Sequence, residues 1–293
     1  MIMKLQGPIT ALITPFNEDY SIDFESLEKI VGWQVDNKIS GLVVNGTTGE
    51  SPNITDDELI ELIKATKAKA GTCPLIIGAG SNSTKKAILK AQLAQKYGAN
   101  AVLVVCPYYN KPTQQGLYEH FAAIAKNINI PIIIYNIPGR TNVNLEIEII
   151  ERLYKDFGNI IGIKESTNEI LRFHTLSQIG KDFRIFCGDD ALSLPSYLLG
   201  ACGTISVLSN ILPDLVVEMN NLYFDNKVEQ AKTIYDHLFK FTNLLFSETN
   251  PIPTKFALSK IGLCKNILRA PLTQLSTESQ PKILNELKKF YEL

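Results

Sequence analysis

The chain of 293 residues has a formal net charge of −1, with 45% hydrophobic and 20% charged residues, which are ordinary values for a globular protein. It has no basic block and no apolar run near the ~20 residues that span a bilayer, so neither a nucleic acid nor a membrane is expected as a partner. The five cysteines form no CxxC pair, the three histidines lie far apart, and no signal-peptide pattern opens the chain. We therefore expect a reduced, cytoplasmic protein without a metal site.

Short apolar runs alternate with amphipathic stretches along the chain, and each run is predicted to be a strand followed by a helix. The eight runs are ITALITPF (9–16), GLVVNGT (41–47), PLIIGAG (74–80), AVLVVCPYY (101–109), PIIIYNIP (131–138), IIGIKES (160–166), FRIFCGDD (183–190) and GTISVLSN (203–210). Two helices have clear ends. One begins at Thr55, has Glu58 at the capping-box offset and closes on Gly71, and the next runs from Ser83 to Gly98.

Eight strand–helix units are the ingredients of a (β/α)8 TIM barrel. The residues after the eighth strand contain four more helical stretches: PDLVVEMNNLYF (213–224), KVEQAKTIYDHLFKFTNLLF (227–246), PTKFALSKIG (253–262) and ESQPKILNELKKFY (278–291). We therefore predict an α/β protein with a catalytic barrel over residues 1–224 and a C-terminal helical extension over residues 225–293. An open doubly wound sheet is the weaker alternative, because no GxGxxG follows the first strand.

In the stretch NIIGIKEST (159–167), an apolar run leads directly into Lys164. This lysine is predicted to lie at the C-terminal end of a strand, where barrel enzymes place their catalytic groups. Because strand side chains alternate, Lys164 shares a face with Gly162 and is predicted to project into the barrel. Burial disfavours the charged form of a lysine, and a neutral amine forms Schiff bases with carbonyl compounds. The structural alternatives are that Lys164 pairs with Glu165 or that it caps carbonyl groups at the strand end.

Other strand ends supply hydroxyls that can serve the same chemistry. Alternation places Tyr135 on the inward face of its strand, and it places Thr47 on the inward face of another. The GTTGE turn (46–50) offers backbone N–H groups and the hydroxyls of Thr47 and Thr48 to a small carboxylate. The alternatives are a rim tyrosine with a hydrated hydroxyl and an ordinary glycine turn with helix-capping threonines.

Three further side chains follow the fourth and fifth strands. Arg140, in a Pro-Gly loop, can grip a carboxylate with two hydrogen bonds, although a plain surface arginine is the alternative. Tyr108 and Tyr109 are adjacent and cannot both point into one barrel. One of them is therefore predicted to pack across a subunit interface.

Five motifs in this order resemble those of the 4-hydroxy-tetrahydrodipicolinate synthase (dihydrodipicolinate synthase) family: GTTGES, PYYNKPTQQGLYEHF, YNIPGRT, IIGIKE and GDD. The resemblance extends to TNPIPTKFALSKIGL in the C-terminal helices. This family belongs to the pyruvate-dependent class I aldolase superfamily, which includes N-acetylneuraminate lyase. The resemblance implies that pyruvate forms a Schiff base with Lys164 and condenses with L-aspartate 4-semialdehyde, without another cofactor, in diaminopimelate and lysine biosynthesis. It also implies a homotetramer built as a dimer of dimers.

The resemblance also implies a role for each residue that matches a family motif. Tyr135, Thr47 and Tyr109 match a proton relay in which the neighbouring subunit supplies Tyr109. Thr48 matches the contact to the pyruvate carboxylate, and Arg140 matches the grip on the carboxylate of the second substrate. Ile205 matches a main-chain contact near the lysine. Arg140 favours the synthase over a related N-acetylneuraminate or 2-keto-3-deoxy sugar-acid aldolase, and the complete polar set argues against a keto-acid-binding or scaffold barrel.

The effector cleft of the family is matched only in part. Asn82 and Tyr108 fit the lysine-binding pattern, whereas Asp56, Leu59 and Lys86 stand where lysine-sensitive members tend to have two histidines and a glutamate. Losing that acidic partner for the amino groups of lysine predicts weak or absent feedback inhibition.

Overall fold

A computed structural model describes residues 5–292, in which eight parallel strands form a closed barrel whose neighbours follow one another in chain order. The predicted (β/α)8 barrel is confirmed, although every strand is shorter than its apolar run. The strands are β1 (Ile9–Ala11), β2 (Gly41–Val44), β3 (Leu75–Gly78), β4 (Ala101–Val105), β5 (Ile132–Asn136), β6 (Ile160–Glu165), β7 (Arg184–Cys187) and β8 (Gly203–Ser206).

Helices separate the strands and continue after the last one, as the sequence patterns predict. Those within the barrel region are α1 (Phe24–Asp36), α2 (Asp56–Ala70), α3 (Thr84–Lys96), α4 (Gln114–Asn127), α5 (Pro138–Thr141), α6 (Ile147–Asp156), α7 (Leu171–Ser177) and α8 (Ser193–Leu198). The later ones are α9 (Pro213–Phe224), α10 (Val228–Leu244), α11 (Ile252–Lys260) and α12 (Gln280–Leu287). No helix among residues 5–292 combines the length and the apolarity needed to cross a membrane.

The ends of α2 show how local sequence sets the helix boundaries. The Thr55 hydroxyl accepts a hydrogen bond from the backbone N–H of Glu58, and the Glu58 carboxylate accepts one from the backbone N–H of Thr55 at 2.9 Å. This is the predicted capping box, and it satisfies two N–H groups that a helix start leaves free. Gly71 closes the helix with a φ of +58°, a backbone conformation that favours glycine.

The chain packs into two compact units. One contains Pro74–Ile205 with the described N-terminal residues Leu5 and Gln6, and it holds β3 to β8, where α3 packs on α4 and α4 on α6. The other contains Gly7–Cys73 and residues 206–292. There α1 packs on α2, α9 on α10, and α10 and α11 on α12. The boundary at residue 224 that we predict between barrel and extension stays a prediction.

Candidate active site

Lys164 is a buried side chain near the end of β6, and only 6% of it is exposed. The pairing of β5 with β6 sets Tyr135 beside Lys164 and Ile133 beside Gly162, which agrees with the alternation predicted on both strands, whereas the inward projection of Lys164 stays a prediction. Nζ of Lys164 lies 4.4 Å from the ring centroid of Tyr135. Within residues 5–292, no carboxylate lies within ion-pair distance of Lys164, so its amine is not committed to a salt bridge.

Two glycines explain how β6 and β7 fit around this lysine. A Cβ at Gly188 would lie 2.8 Å from Cε of Lys164 and would collide with the hydroxyl of Ser166, so only glycine leaves room for the lysine stem. The backbone N–H of Gly188 donates to the carbonyl of Glu165 at 2.8 Å, which ties the end of β7 to the end of β6. Gly162 is required for a different reason, because its Cβ would overlap the backbone carbonyl of Arg184 on β7.

Glu165 has another partner than Lys164, so the structural alternative that paired these two residues is wrong. Its carboxylate is fully buried and forms an ion pair with Nε of Arg172 at 2.8 Å. Asn136 donates to both of its oxygens at 3.0 and 3.2 Å, and the backbone N–H of Thr167 donates at 3.1 Å. Burial raises the pKa of Glu165, while Arg172 and these donors act in the opposite direction. The sequence patterns did not identify Asn136 and Arg172 as site residues. Their only visible signal was that each is polar and lies close to an apolar strand.

The same network fixes the end of the loop that carries Arg140. Oδ1 of Asn136 accepts from the backbone N–H of Leu145 at 3.1 Å, and Nη2 of Arg172 donates to the carbonyl of Leu145. Arg140 lies in the short helix α5, and its side chain is exposed with no ion-pair partner among residues 5–292. Its guanidinium is therefore available to a carboxylate ligand.

Tyr109 is a predicted site residue that points into solvent. Its side chain is 88% exposed, and its φ is +75°, which is uncommon for a residue other than glycine. Tyr108 is 38% exposed. An aromatic side chain held outward on a turn of this kind is suited to contact another protein surface.

Three other predicted residues of this unit lie on β8, on α3 and just before α3. Ile205 is fully buried on β8. The carbonyl of Asn82 accepts from Nδ2 of Asn110 at 2.8 Å, and Lys86 is exposed on α3. These positions neither support nor contradict an effector cleft.

The GTTGE turn lies in the other compact unit and starts where β2 ends. Asn45 has a φ of +59°, so strand alternation stops at Val44 and does not determine the direction of Thr47. That step of the sequence argument was wrong. The turn itself sets the positions, because the backbone N–H groups of Gly49 and Glu50 donate to the carbonyls of Gly46 and Thr47 at 3.1 Å each. Thr47 is half-buried.

Residues of the C-terminal part of the chain contact this turn, and the sequence patterns did not predict these contacts. Nζ of Lys255 lies 2.5 Å from Oε1 of Glu50, and both side chains are fully buried. The backbone N–H of Arg269 donates to the other Glu50 oxygen at 3.0 Å. Nδ2 of Asn250 donates to Oγ1 of Thr48 at 2.9 Å. The available signal was the stretch TNPIPTK, where an asparagine and a lysine enter an otherwise apolar helix start.

The cysteines do not contribute chemistry. All five are free thiols. Burial raises the pKa of Cys187 to about 12 and that of Cys202 to about 11, so neither forms the reactive thiolate at neutral pH.

The chain is similar to known proteins along nearly its whole length. The model of the Dihydrodipicolinate synthetase family matches residues 4–290. A curated relative named 4-hydroxy-tetrahydrodipicolinate synthase, from Sulfurihydrogenibium sp., is 45% identical over 288 residues, covering 97% of each chain.

Two solved structures resemble the chain closely. The dihydrodipicolinate synthase of Thermotoga maritima has a TM-score of 0.96 at 40% identity, covering 98% of this chain and 99% of its own. The chloride-inhibited synthase of Acinetobacter baumannii in complex with pyruvate has a TM-score of 0.94 at 40% identity, with coverage of 97% and 98%.

Proposed function

Because the chain belongs to the dihydrodipicolinate synthetase family and is an enzyme of the 4-hydroxy-tetrahydrodipicolinate synthase class, we propose that it joins pyruvate to L-aspartate 4-semialdehyde through a Schiff base on Lys164. The observation that carries this proposal is the buried amine of Lys164, which lies beside the Tyr135 ring without a carboxylate partner among residues 5–292. A buried lysine that only supported the fold would be expected to have a paired charge, as Lys255 does.

The proposed reaction begins when Nζ of Lys164 attacks C2 of pyruvate. Loss of water gives an iminium, and loss of a proton from C3 converts it to an enamine. The enamine carbon then attacks the aldehyde carbon of the second substrate, which forms a carbon–carbon bond. Finally the amino group of the condensed chain adds to C2 and displaces Nζ, so that the ring closes and Lys164 is regenerated.

Each of these steps moves a proton to or from an oxygen, a nitrogen or C3. The Tyr135 phenol is the nearest described proton carrier on the neighbouring strand, and we assign it to this transfer. Thr47 and Tyr109 complete the relay on the strength of their family motifs.

The substrates are assigned to three further positions on the same basis. We assign the pyruvate carboxylate to Thr48 and the carboxylate of the aldehyde substrate to the unpaired guanidinium of Arg140. The main chain of Ile205 is assigned a substrate contact near Lys164.

The outward position of Tyr109 supports an assembly of more than one subunit, and the family resemblance supports its size. A relay residue that is 88% exposed in one subunit is best explained if it serves the site of a neighbour. We therefore propose a cytoplasmic homotetramer built as a dimer of dimers.

Trapping with borohydride tests the Schiff base. The protein is incubated with pyruvate, reduced with borohydride and mapped by peptide mass spectrometry. We expect the reduced pyruvyl adduct on Lys164 and none on Lys255, which is also buried but is salt-bridged and so provides an internal control. Lys164→Met is expected to abolish the adduct. An adduct absent from Lys164 in the active protein would refute the mechanism.

A substrate comparison tests the second half of the proposal. Turnover is measured with pyruvate plus L-aspartate 4-semialdehyde and, separately, with N-acetylneuraminate and with 2-keto-3-deoxy sugar acids. We expect turnover with the first pair only, and we expect Arg140→Ala to raise the KM for the semialdehyde more than that for pyruvate. Cleavage of the sugar acids would identify an aldolase instead. An adduct without any turnover would indicate a keto-acid-binding barrel.

A further inference from the structure

The hydroxyl of Thr48 has a fixed partner in the C-terminal part of the chain. Thr48 is 2% exposed, and its Oγ1 accepts a hydrogen bond from Nδ2 of Asn250 at 2.9 Å. The amide of Asn250 is held from its other side, because Oδ1 lies 3.4 Å from the hydroxyl of Thr254, which donates to it. Asn250 is 6% exposed, so no open solvent competes for these bonds.

This arrangement determines where the Thr48 proton can point. A threonine hydroxyl has a single proton and two acceptor lone pairs. Since Asn250 already occupies one lone pair as a donor, the proton of Thr48 remains free for another acceptor. If Thr48 instead donated to Asn250, its lone pairs would face an incoming anion, which would repel it.

We propose that Asn250 is a positioning residue that directs the Thr48 hydroxyl proton toward the carboxylate of the bound keto acid. This inference rests on the proposed function, because it requires that Thr48 contacts that carboxylate. Asn250 touches no substrate in this scheme and acts only through the hydroxyl it orients.

The turn does not depend on Asn250 for its shape. Glu50 has a φ of +57°, and its buried carboxylate is held by Lys255 and by the backbone N–H of Arg269. The hydroxyl of Thr14 donates to the carbonyl of Gly49 at 2.8 Å. With these anchors in place, changing Asn250 is expected to alter the direction of one proton rather than the path of the backbone.

Asn250→Asp is the decisive substitution, because it keeps the size of the side chain and removes its donor. The Asp carboxylate accepts only, so it would draw the Thr48 proton toward itself and away from the substrate. Hydrogen bonds to charged groups are the stronger ones, so we expect the KM for pyruvate to rise about 10- to 100-fold, with kcat and the KM for the second substrate each changed by less than about 3-fold. Asn250→Ala, which leaves the hydroxyl free to rotate, should have a smaller effect.

Thr48→Val separates proton direction from simple charge repulsion. In the Thr48→Val background no hydroxyl remains to be reoriented, so adding Asn250→Asp should raise the KM for pyruvate by much less than it does in the unmodified protein. Full additivity of the two substitutions would overturn the proposal. Asn243→Asp makes the same substitution at an exposed residue of α10 and should change neither KM.

The outcomes distinguish this proposal from the one on which it rests. If the unmodified protein gives no borohydride adduct with pyruvate, the proposed function fails. If the adduct forms but Asn250→Asp leaves the KM for pyruvate unchanged, only the role of Asn250 fails. A loss of thermal stability accompanied by equal losses for both substrates would show that Asn250 is merely structural, and would also overturn the proposal.

Discussion

Arg172→Met tests whether the buried Glu165–Arg172 pair stabilises β6, the strand that carries Lys164. The substitution keeps an unbranched side chain but removes the charge that faces Glu165. The Glu165 side chain is fully buried and that of Arg172 is 8% exposed, so water cannot replace the lost partner. The variant must bury a carboxylate with only neutral donors around it.

The expected cost follows from these contacts. Breaking a buried ion pair by removing one partner typically costs about 3–5 kcal/mol. Asn136 and the backbone N–H of Thr167 would still donate to Glu165, which reduces the cost. The carbonyl of Leu145 would lose its Arg172 donor, which adds to the cost. We therefore expect the free energy of unfolding to fall by about 3–4 kcal/mol, within the range typical of such pairs.

Urea denaturation monitored by circular dichroism measures this loss, provided that the protein concentration is held constant. Arg152→Met provides the matched control. Arg152 faces Asp156 at 3.6 Å on the surface of α6, with 50% and 43% of the two side chains exposed, so its removal should cost less than about 1 kcal/mol. Combining Arg172→Met with Glu165→Gln should restore most of the stability, because the neutral amide no longer needs a cation.

The pH dependence sharpens this test. Burial already raises the pKa of Glu165, and removal of Arg172 would raise it further. In the folded Arg172→Met variant, Glu165 would then stay protonated at pH values where Glu165 of the unfolded chain, with its ordinary pKa of 4.5, has lost its proton. The stability of the variant should therefore fall as the pH rises above 4.5. The deficit should be larger at pH 8 than at pH 5. Equal losses from Arg172→Met and Arg152→Met, or a deficit that shrinks as the pH rises, would refute the reasoning.

Three further predictions concern the lysine pocket, the surface of α2 and regulation. Gly188→Ala should slow adduct formation on Lys164, because the new Cβ would lie 2.8 Å from Cε of the lysine, whereas Gly158→Ala, which meets no atom within 4 Å, should not. The hydrogen bond from Arg269 lowers the pKa of Glu58 to about 2, so Glu58→Gln should destabilise the protein at neutral pH. That difference should vanish in denaturation curves as the pH falls from about 4.5 toward 2. Free L-lysine should inhibit turnover weakly or not at all, and an inhibition constant in the low micromolar range would contradict the predicted loss of feedback inhibition.

Local chemistry in the sequence determined a large part of this protein. The apolar runs marked all eight strands, because a strand buried on both faces is apolar throughout. The Thr55 and Glu58 pair marked the start of α2, since both of its hydrogen bonds form within four residues. Alternation along β6 pairs Lys164 with Tyr135, because the register of the two strands is regular from Gly162 to Glu165.

Tertiary structure alone decided which side chains meet. Two cations, Lys164 and Arg172, lie within seven residues of Glu165, and only the packing of α7 shows that Arg172 is its partner. Alternation did not extend to Thr47, because the positive φ of Asn45 ends β2 before it. The bond from Asn250 to Thr48 joins residues 202 positions apart. No local propensity encodes such a contact, since it exists only after the C-terminal helices have packed against the turn.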